Sequence, residues 1–184
     1  MLTQDFKYRQ VALKEAKDKK EVIDLMTTGS SMSPLLRSNT NIYIEFNHLD
    51  DIHNGDVIAF YDDYGVSVHR CIKKNNNRVL ERGDNCNLWT KCKWIDTDNI
   101  LGKMVCAEFK NTCLNMDTFR YRLYGCIMVY IGKLSNMVGR IRKKDSSQEK
   151  HATIDKEKTF SMLINKLIRI AYKMCIEYVE VADD

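Results

Sequence analysis

Residues 29 to 34 read Gly29-Ser30-Ser31-Met32-Ser33-Pro34, three serines beside the only proline of a 184-residue chain. A serine hydroxyl attacks a carbonyl only when a neighbouring base takes its proton and backbone amides stabilise the oxyanion that forms. A tight turn at the end of a strand can expose the hydroxyl and supply those amides. Three serines in a turn can equally close hydrogen bonds onto their own backbone, as caps do. The choice depends on whether the surrounding elements bring a base and a carboxylate to this turn.

Those elements are short and β-rich. "EVIDLMT" (21 to 27) predicts a strand leading into the Gly29 turn. From 41 to 109, "NIYIEF", "DVIAFY", "VSVHRCI", "RVLER" and "LGKMVCAEF" are separated by the turn signals "HNGD", "DDYG" and "KKNNN". Such close spacing points to antiparallel or coiled β-structure rather than βαβ units. Residues 2 to 20 space Leu2, Phe6, Leu13 and Ala16 at helical intervals. After 117 the pattern becomes helical again, with Phe119, Leu123, Ile127, Tyr130, Leu134, Met137 and Ile141 on one face. "RKKDSSQEKHATIDKEK" (142 to 158) reads as a polar linker, and a last helix from Thr159 carries Phe160, Leu163, Leu167, Ile170, Met174 and Tyr178. The expected fold class is therefore α+β: an N-terminal helix (1–20), a coiled antiparallel β domain (21–116), and a helical extension (117–184).

With 44% hydrophobic and 29% charged residues, the composition is that of an ordinary globular chain. The net charge is only +4, and it is concentrated in residues 110–150, which hold nine Lys/Arg against three Asp/Glu. A regional positive charge suits an acidic partner or an anionic membrane surface more than nucleic acid. In particular, 119–144 has an apolar face flanked by Arg120 and Arg122 at one end and Arg140, Arg142, Lys143 and Lys144 at the other. It reads either as a helix packed on the β domain or as a peripheral membrane contact. Seven cysteines without a Cys-x-x-Cys pair imply neither a disulfide framework nor a zinc site, and hence a reducing compartment and no metal or other cofactor. No signal peptide or spanning segment is evident, so the expected location is the cytoplasm, with a peripheral membrane contact as an option.

The order of the β segments carries a resemblance over about residues 22 to 107. Gly29 to Pro34 looks like the G-x-S-M-x-P box of the signal peptidase clan of serine peptidases, followed by Gly55-Asp56-Val57-Ile58-Ala59-Phe60, Val68-His69-Arg70, Gly83-Asp84-Asn85 and Gly102-Lys103 in the clan's order. The resemblance implies that Ser31, the serine before Met, is the nucleophile and that His69 is the general base. A histidine at this position is similar to the endoplasmic-reticulum, archaeal and some Gram-positive signal peptidases; the bacterial type and the LexA-type self-cleaving repressors place a lysine there. Strand alternation puts His69 on one face with Ser67 and Cys71.

In the histidine branch an orienting aspartate closes a G-D-N-N-x-x-D-D pattern. This chain departs from it, with Trp89 and Thr90 in the two aspartate positions. Asp84 is then the candidate for holding the imidazole, with Asp96 and Asp98 as second choices, while a turn role for Asp84 carries equal weight. The Ser31 amide and the Ser30 hydroxyl are the expected oxyanion donors, and Met32 is expected to line the substrate groove.

The function implied is a serine endopeptidase that cleaves a leader or signal segment from a peptide. The alternative is an accessory peptide-binding protein that keeps the groove but has lost the orienting carboxylate. A self-cleaving repressor is disfavoured by His69, by the short segment before the β domain, and by the lack of any Ala-Gly dipeptide.

Overall fold

The computed structural model describes residues 22–46, 49–63, 65–86, 90–116, 118–142 and 151–180. Side chains are described as far as Met137 in the first C-terminal helix and from Thr159 in the second. The expected helix over 1–20 lies outside the described residues.

The strands are β1 Val22–Met26, β2 Asn41–Phe46, β3 Val57–Asp62, β4 Gly65–Lys74, β5 Arg78–Arg82, β6 Lys93–Asp96, β7 Ile100–Phe109, β8 Thr112–Leu114 and β9 Tyr178–Glu180. They form one antiparallel sheet in the order β1-β2-β7-β3-β4-β5-β6, curled into a half-barrel, with β8 added beside β7 and β9 beside β8. Two helices follow the barrel strands, α1 Phe119–Arg142 and α2 His151–Cys175.

Alternation builds the walls. In β2 the inward residues Ile42, Ile44 and Phe46 are buried while Asn41 is exposed. The continuous apolar run of β3 is buried on both faces: Val57 and Ala59 join the core shared with the helices, and Ile58 and Phe60 join a second cluster with Cys71, Val79 and Ile100. The thiol of Cys71 is pushed up to about 12 by this burial, so it behaves as a core hydrophobe. All seven cysteines are free.

Helix α1 seats on the sheet through its small residues. Gly55 turns into β3 with φ +102°, and a Cβ there would lie 3.4 Å from the Gly125 backbone, so the two glycines let helix and turn approach closely.

The structure corrects three expectations. Residues 151–158 belong to α2 rather than to a linker. That segment lacks Gly and Pro and needs no core pattern to be helical. Next, the α1 face expected to pack is not the buried one: Tyr121, Tyr124, Met128 and Val129 are buried, whereas Phe119, Leu123, Tyr130 and Met137 are exposed. Likewise α2 buries Ile168 and Cys175 and exposes Phe160, Leu163, Leu167, Ile170 and Met174. Finally, Tyr178 lies in β9, where its hydroxyl donates to the Leu35 carbonyl at 3.0 Å.

Candidate active site

The loop from 27 to 40 presents Ser31, and its two ends are pinned together. The Thr27 N–H donates to the Thr40 carbonyl at 2.9 Å, the Asn39 N–H to the Thr27 carbonyl at 2.7 Å, and the Thr27 hydroxyl to the Arg37 carbonyl at 2.6 Å. Asn39 takes φ +63°, a left-handed conformation that asparagine tolerates. Within the loop, Met32, Leu35 and Leu36 are sunk in the core. Their burial turns the neighbouring Ser31 outward, where it is exposed. Met32 also borders the cleft beside Ser31.

His69 stands on β4 with its ring tilted against buried Phe60, centroids 5.8 Å apart. Its Nε2 is 3.1 Å from Ser31 Oγ, and its Nδ1 is 2.6 Å from Glu81 Oε2. The carboxylate is an acceptor, so Nδ1 carries the proton donated to Glu81. That leaves the Nε2 lone pair to accept from the Ser31 hydroxyl. Strand register explains the contact. Glu81 on β5 is paired with Cys71, and Cys71 shares a face with His69 two residues away. Glu81 is only 5% exposed, which shields its bond to the imidazole from water.

Asp84 does not hold the imidazole. Its two oxygens accept from Arg70 Nε at 2.7 Å and Arg70 Nη2 at 2.6 Å, a bidentate pair with both side chains buried. Arg70 also donates to the Gly55 carbonyl at 2.6 Å, and its guanidinium lies 5.3 Å from the centre of the Tyr124 ring of α1. The Tyr124 hydroxyl donates to Asp84 at 3.4 Å. Burial works to lower the guanidinium's pKa, but the Asp84 charge and hydrogen bonds more than offset it and hold Arg70 above its ordinary value. Asp84 is thus structural: it ties the 83–86 turn to β4 and to α1.

The rest of that turn holds the loop that carries Ser31. The Asn85 N–H donates to the Ser31 carbonyl at 2.7 Å and its side-chain amide to the Ser30 carbonyl at 3.1 Å. A Cβ on Gly83 would fall 2.8 Å from the Ser31 carbonyl oxygen and 3.2 Å from Ser31 Cβ, so only glycine allows this approach. Gly83→Ala is expected to displace Ser31 by up to about an ångström and to lower any turnover that depends on Ser31 about a hundredfold with the fold retained. Steady-state kinetics beside a thermal melt would check it.

The Ser31 N–H has no acceptor among the described residues. The expected second donor, Ser30, is exposed beside it and engages the turn through its carbonyl. Of the other expected positions, Asp96 forms an ion pair with Arg78 at 2.9 Å, Asp98 sits in the 3-10 turn Thr97–Asn99, and the Thr90 carbonyl accepts from Ser135 of α1. Trp89 lies outside the described residues. Sequence reasoning missed Glu81, although the β4–β5 hairpin "VHRCIKKNNNRVLER" contains the signal: a carboxylate on the strand adjacent to His69.

A cleft of about 280 Å³ opens beside Ser31 and His69, bordered by Leu25 to Thr28 on one side and Val66 to Val68 on the other. β1 is the last strand on its side of the sheet, and β4 pairs with β5 only from Arg70 onward. Two strand edges without partners among the described strands therefore face a cleft of mixed lining, in which Leu25, Met32, Leu36, Ile42 and Val68 alternate with Thr27, Thr28, Ser67 and the Ser31–His69 pair. No group of three or more His, Cys, Asp or Glu among the described residues could hold a metal ion. No protein-family model matches this chain, and no curated protein is significantly similar to it.

Proposed function

We propose that the protein is a serine endopeptidase that uses Ser31 as nucleophile, His69 as general base and Glu81 to orient and stabilise the imidazole. The observation that carries this reading is the chain of two hydrogen bonds Ser31–His69–Glu81, built on three elements that the sequence separates. The order of the sequence boxes, similar to that of signal peptidases, supports the same roles for Ser31 and His69.

The steps balance as acyl transfer. Ser31 Oγ bonds to the scissile carbonyl carbon as its proton passes to His69 Nε2, and the Ser31 N–H stabilises the oxyanion. As the C–N bond breaks, His69 returns the proton to the leaving amine. Water then attacks the acyl ester and gives one proton to His69, which passes it back to Ser31 Oγ as the ester opens. The Glu81 carboxylate stabilises the imidazolium formed twice in the cycle.

The cleft supports a reading of the substrate class. An extended peptide can hydrogen-bond to the β1 edge, to the β4 edge, or to both, which brings alternate side chains toward Leu25, Met32, Leu36, Ile42 and Val68 in the lining. The limited volume favours small or modest apolar side chains before the cut, as in a leader or signal segment. Incubation with a mixture of synthetic peptides of varied sequence, read by mass spectrometry, is expected to yield cuts after small apolar positions. Those products must vanish with Ser31→Ala. Cleavage that persists in Ser31→Ala, or a folded wild type that cuts no peptide, would favour a binding role for the cleft.

A further inference from the structure

We infer that the outward faces of α1 and α2 form a docking surface for an anionic lipid bilayer. Helix α1 packs onto the sheet through Tyr124, Gly125, Met128 and Gly132, and the opposite side of the same helix is apolar rather than polar. Phe119 is 78% exposed and Tyr130 74%, with Leu123 and Met137 beside them. At 1.5 Å per residue, this stripe runs about 27 Å along the helix. Apolar stripes of such length are rarely left to water on a monomer.

Helix α2 repeats the pattern with its charges arranged more tellingly. Phe160, Leu163, Leu167, Ile170 and Met174 recur at intervals of three and four and are all exposed. Lys166, Arg169 and Lys173, also exposed, follow the same intervals. At 100° per residue, the cationic row lies roughly 100° around the helix from the apolar row. That is the arrangement of a helix lying in a membrane interface, with apolar residues toward the acyl chains and cations at headgroup level. Arg122 and Lys133 serve the same role on α1, where both are exposed.

Charge selects the occupant. Neither α1 nor residues 159–175 of α2 contain a single Asp or Glu, so nothing on these stretches repels a negative surface. A second copy of the chain would set like charge against like charge. Among the described residues no helix is long and apolar enough to cross a bilayer, so the contact is peripheral. The residues that make it are not part of the Ser31–His69–Glu81 site.

The test is flotation of the full chain with phosphatidylcholine vesicles and with mixed phosphatidylcholine/phosphatidylglycerol vesicles, beside sedimentation velocity of the protein alone. The wild type is expected to float with the anionic vesicles only, and less so as salt is raised. Replacing the cations together (Lys166→Ser, Arg169→Ser, Lys173→Ser) is expected to weaken binding about a hundredfold. Tyr130→Ser with Leu167→Ser is expected to weaken it about tenfold or more. All five positions are exposed, so circular dichroism should be unchanged. The inference is overturned if the folded wild type floats with neither vesicle, or if the apolar pair of substitutions leaves flotation unchanged, which would mean general basic attraction. It is equally overturned if the protein sediments as a dimer that those substitutions disperse, which would make a second copy the occupant.

Discussion

Glu81→Gln is expected to lower kcat for the proposed peptide cleavage about ten-thousandfold while leaving the melting temperature close to that of the wild type. The magnitude is that seen when the orienting carboxylate of a serine peptidase triad is replaced by its amide. The reason is specific to the geometry. The Glu81 oxygen 2.6 Å from Nδ1 favours the tautomer whose Nε2 faces Ser31, and in the proposed mechanism its charge would stabilise the imidazolium. A glutamine keeps the volume, but its amide can present N–H to Nδ1 and stabilise the wrong tautomer, and it brings no charge. Kinetics of Glu81→Gln beside Glu81→Asp would show the distinction, because the shorter carboxylate should recover part of the rate where the amide does not. Equal losses in the two, with no change in fold, would mean that the carboxylate acts only by filling space.

Asp84→Ala produces the opposite signature, a large loss of stability. It leaves the Arg70 guanidinium, which is fully buried, without its bidentate partner. Removing one member of a buried pair costs about 3 to 5 kcal/mol, because the remaining charge is uncompensated. For a chain of this size, that lowers the melting midpoint on the order of 10 °C. The loss should extend beyond the turn, because the same arginine holds the Gly55 carbonyl and packs on Tyr124 of α1. Thermal melts of Asp84→Ala and Glu81→Gln in parallel separate a structural carboxylate from a catalytic one. If Asp84→Ala melted like the wild type but lost turnover, the roles of the two carboxylates would be reversed.

The difference between those two acids marks how far the sequence could be read. The turn around Ser31 and the strand bearing His69 were legible, because a Gly-Ser-Ser-Met-Ser-Pro turn and an alternating apolar strand are local patterns. So were four further barrel strands, β2, β3, β5 and β7, and β1. Glu81 was not, because its place beside His69 depends on a cross-strand register that passes through an irregularity between Cys71 and Lys73. The carboxylate also precedes the Gly83-Asp84-Asn85 turn, in β5, whereas the sequence pattern places one after it.

Asp84 stands out by its motif, but its partner is not the histidine. Arg70, one residue past His69, points to the other face and claims it. The helices show a related limit. Apolar periodicity in α1 runs along two faces, and the packed one is built partly from Gly125, Gly132 and Ser135, residues that carry little hydrophobic signal. Strands β6, β8 and β9 have only three or four residues each and owe their pairing to neighbours rather than to their own composition.

Whether Ser31 is an activated nucleophile is read from the intact mass of the protein after exposure to a fluorophosphonate, beside Ser31→Ala, His69→Ala and Glu81→Gln. An activated Ser31 predicts one adduct on the wild type, located at that residue, none on Ser31→Ala or His69→Ala, and much slower labelling of Glu81→Gln. A folded wild type that remains unlabelled, or an adduct that survives Ser31→Ala, would contradict it.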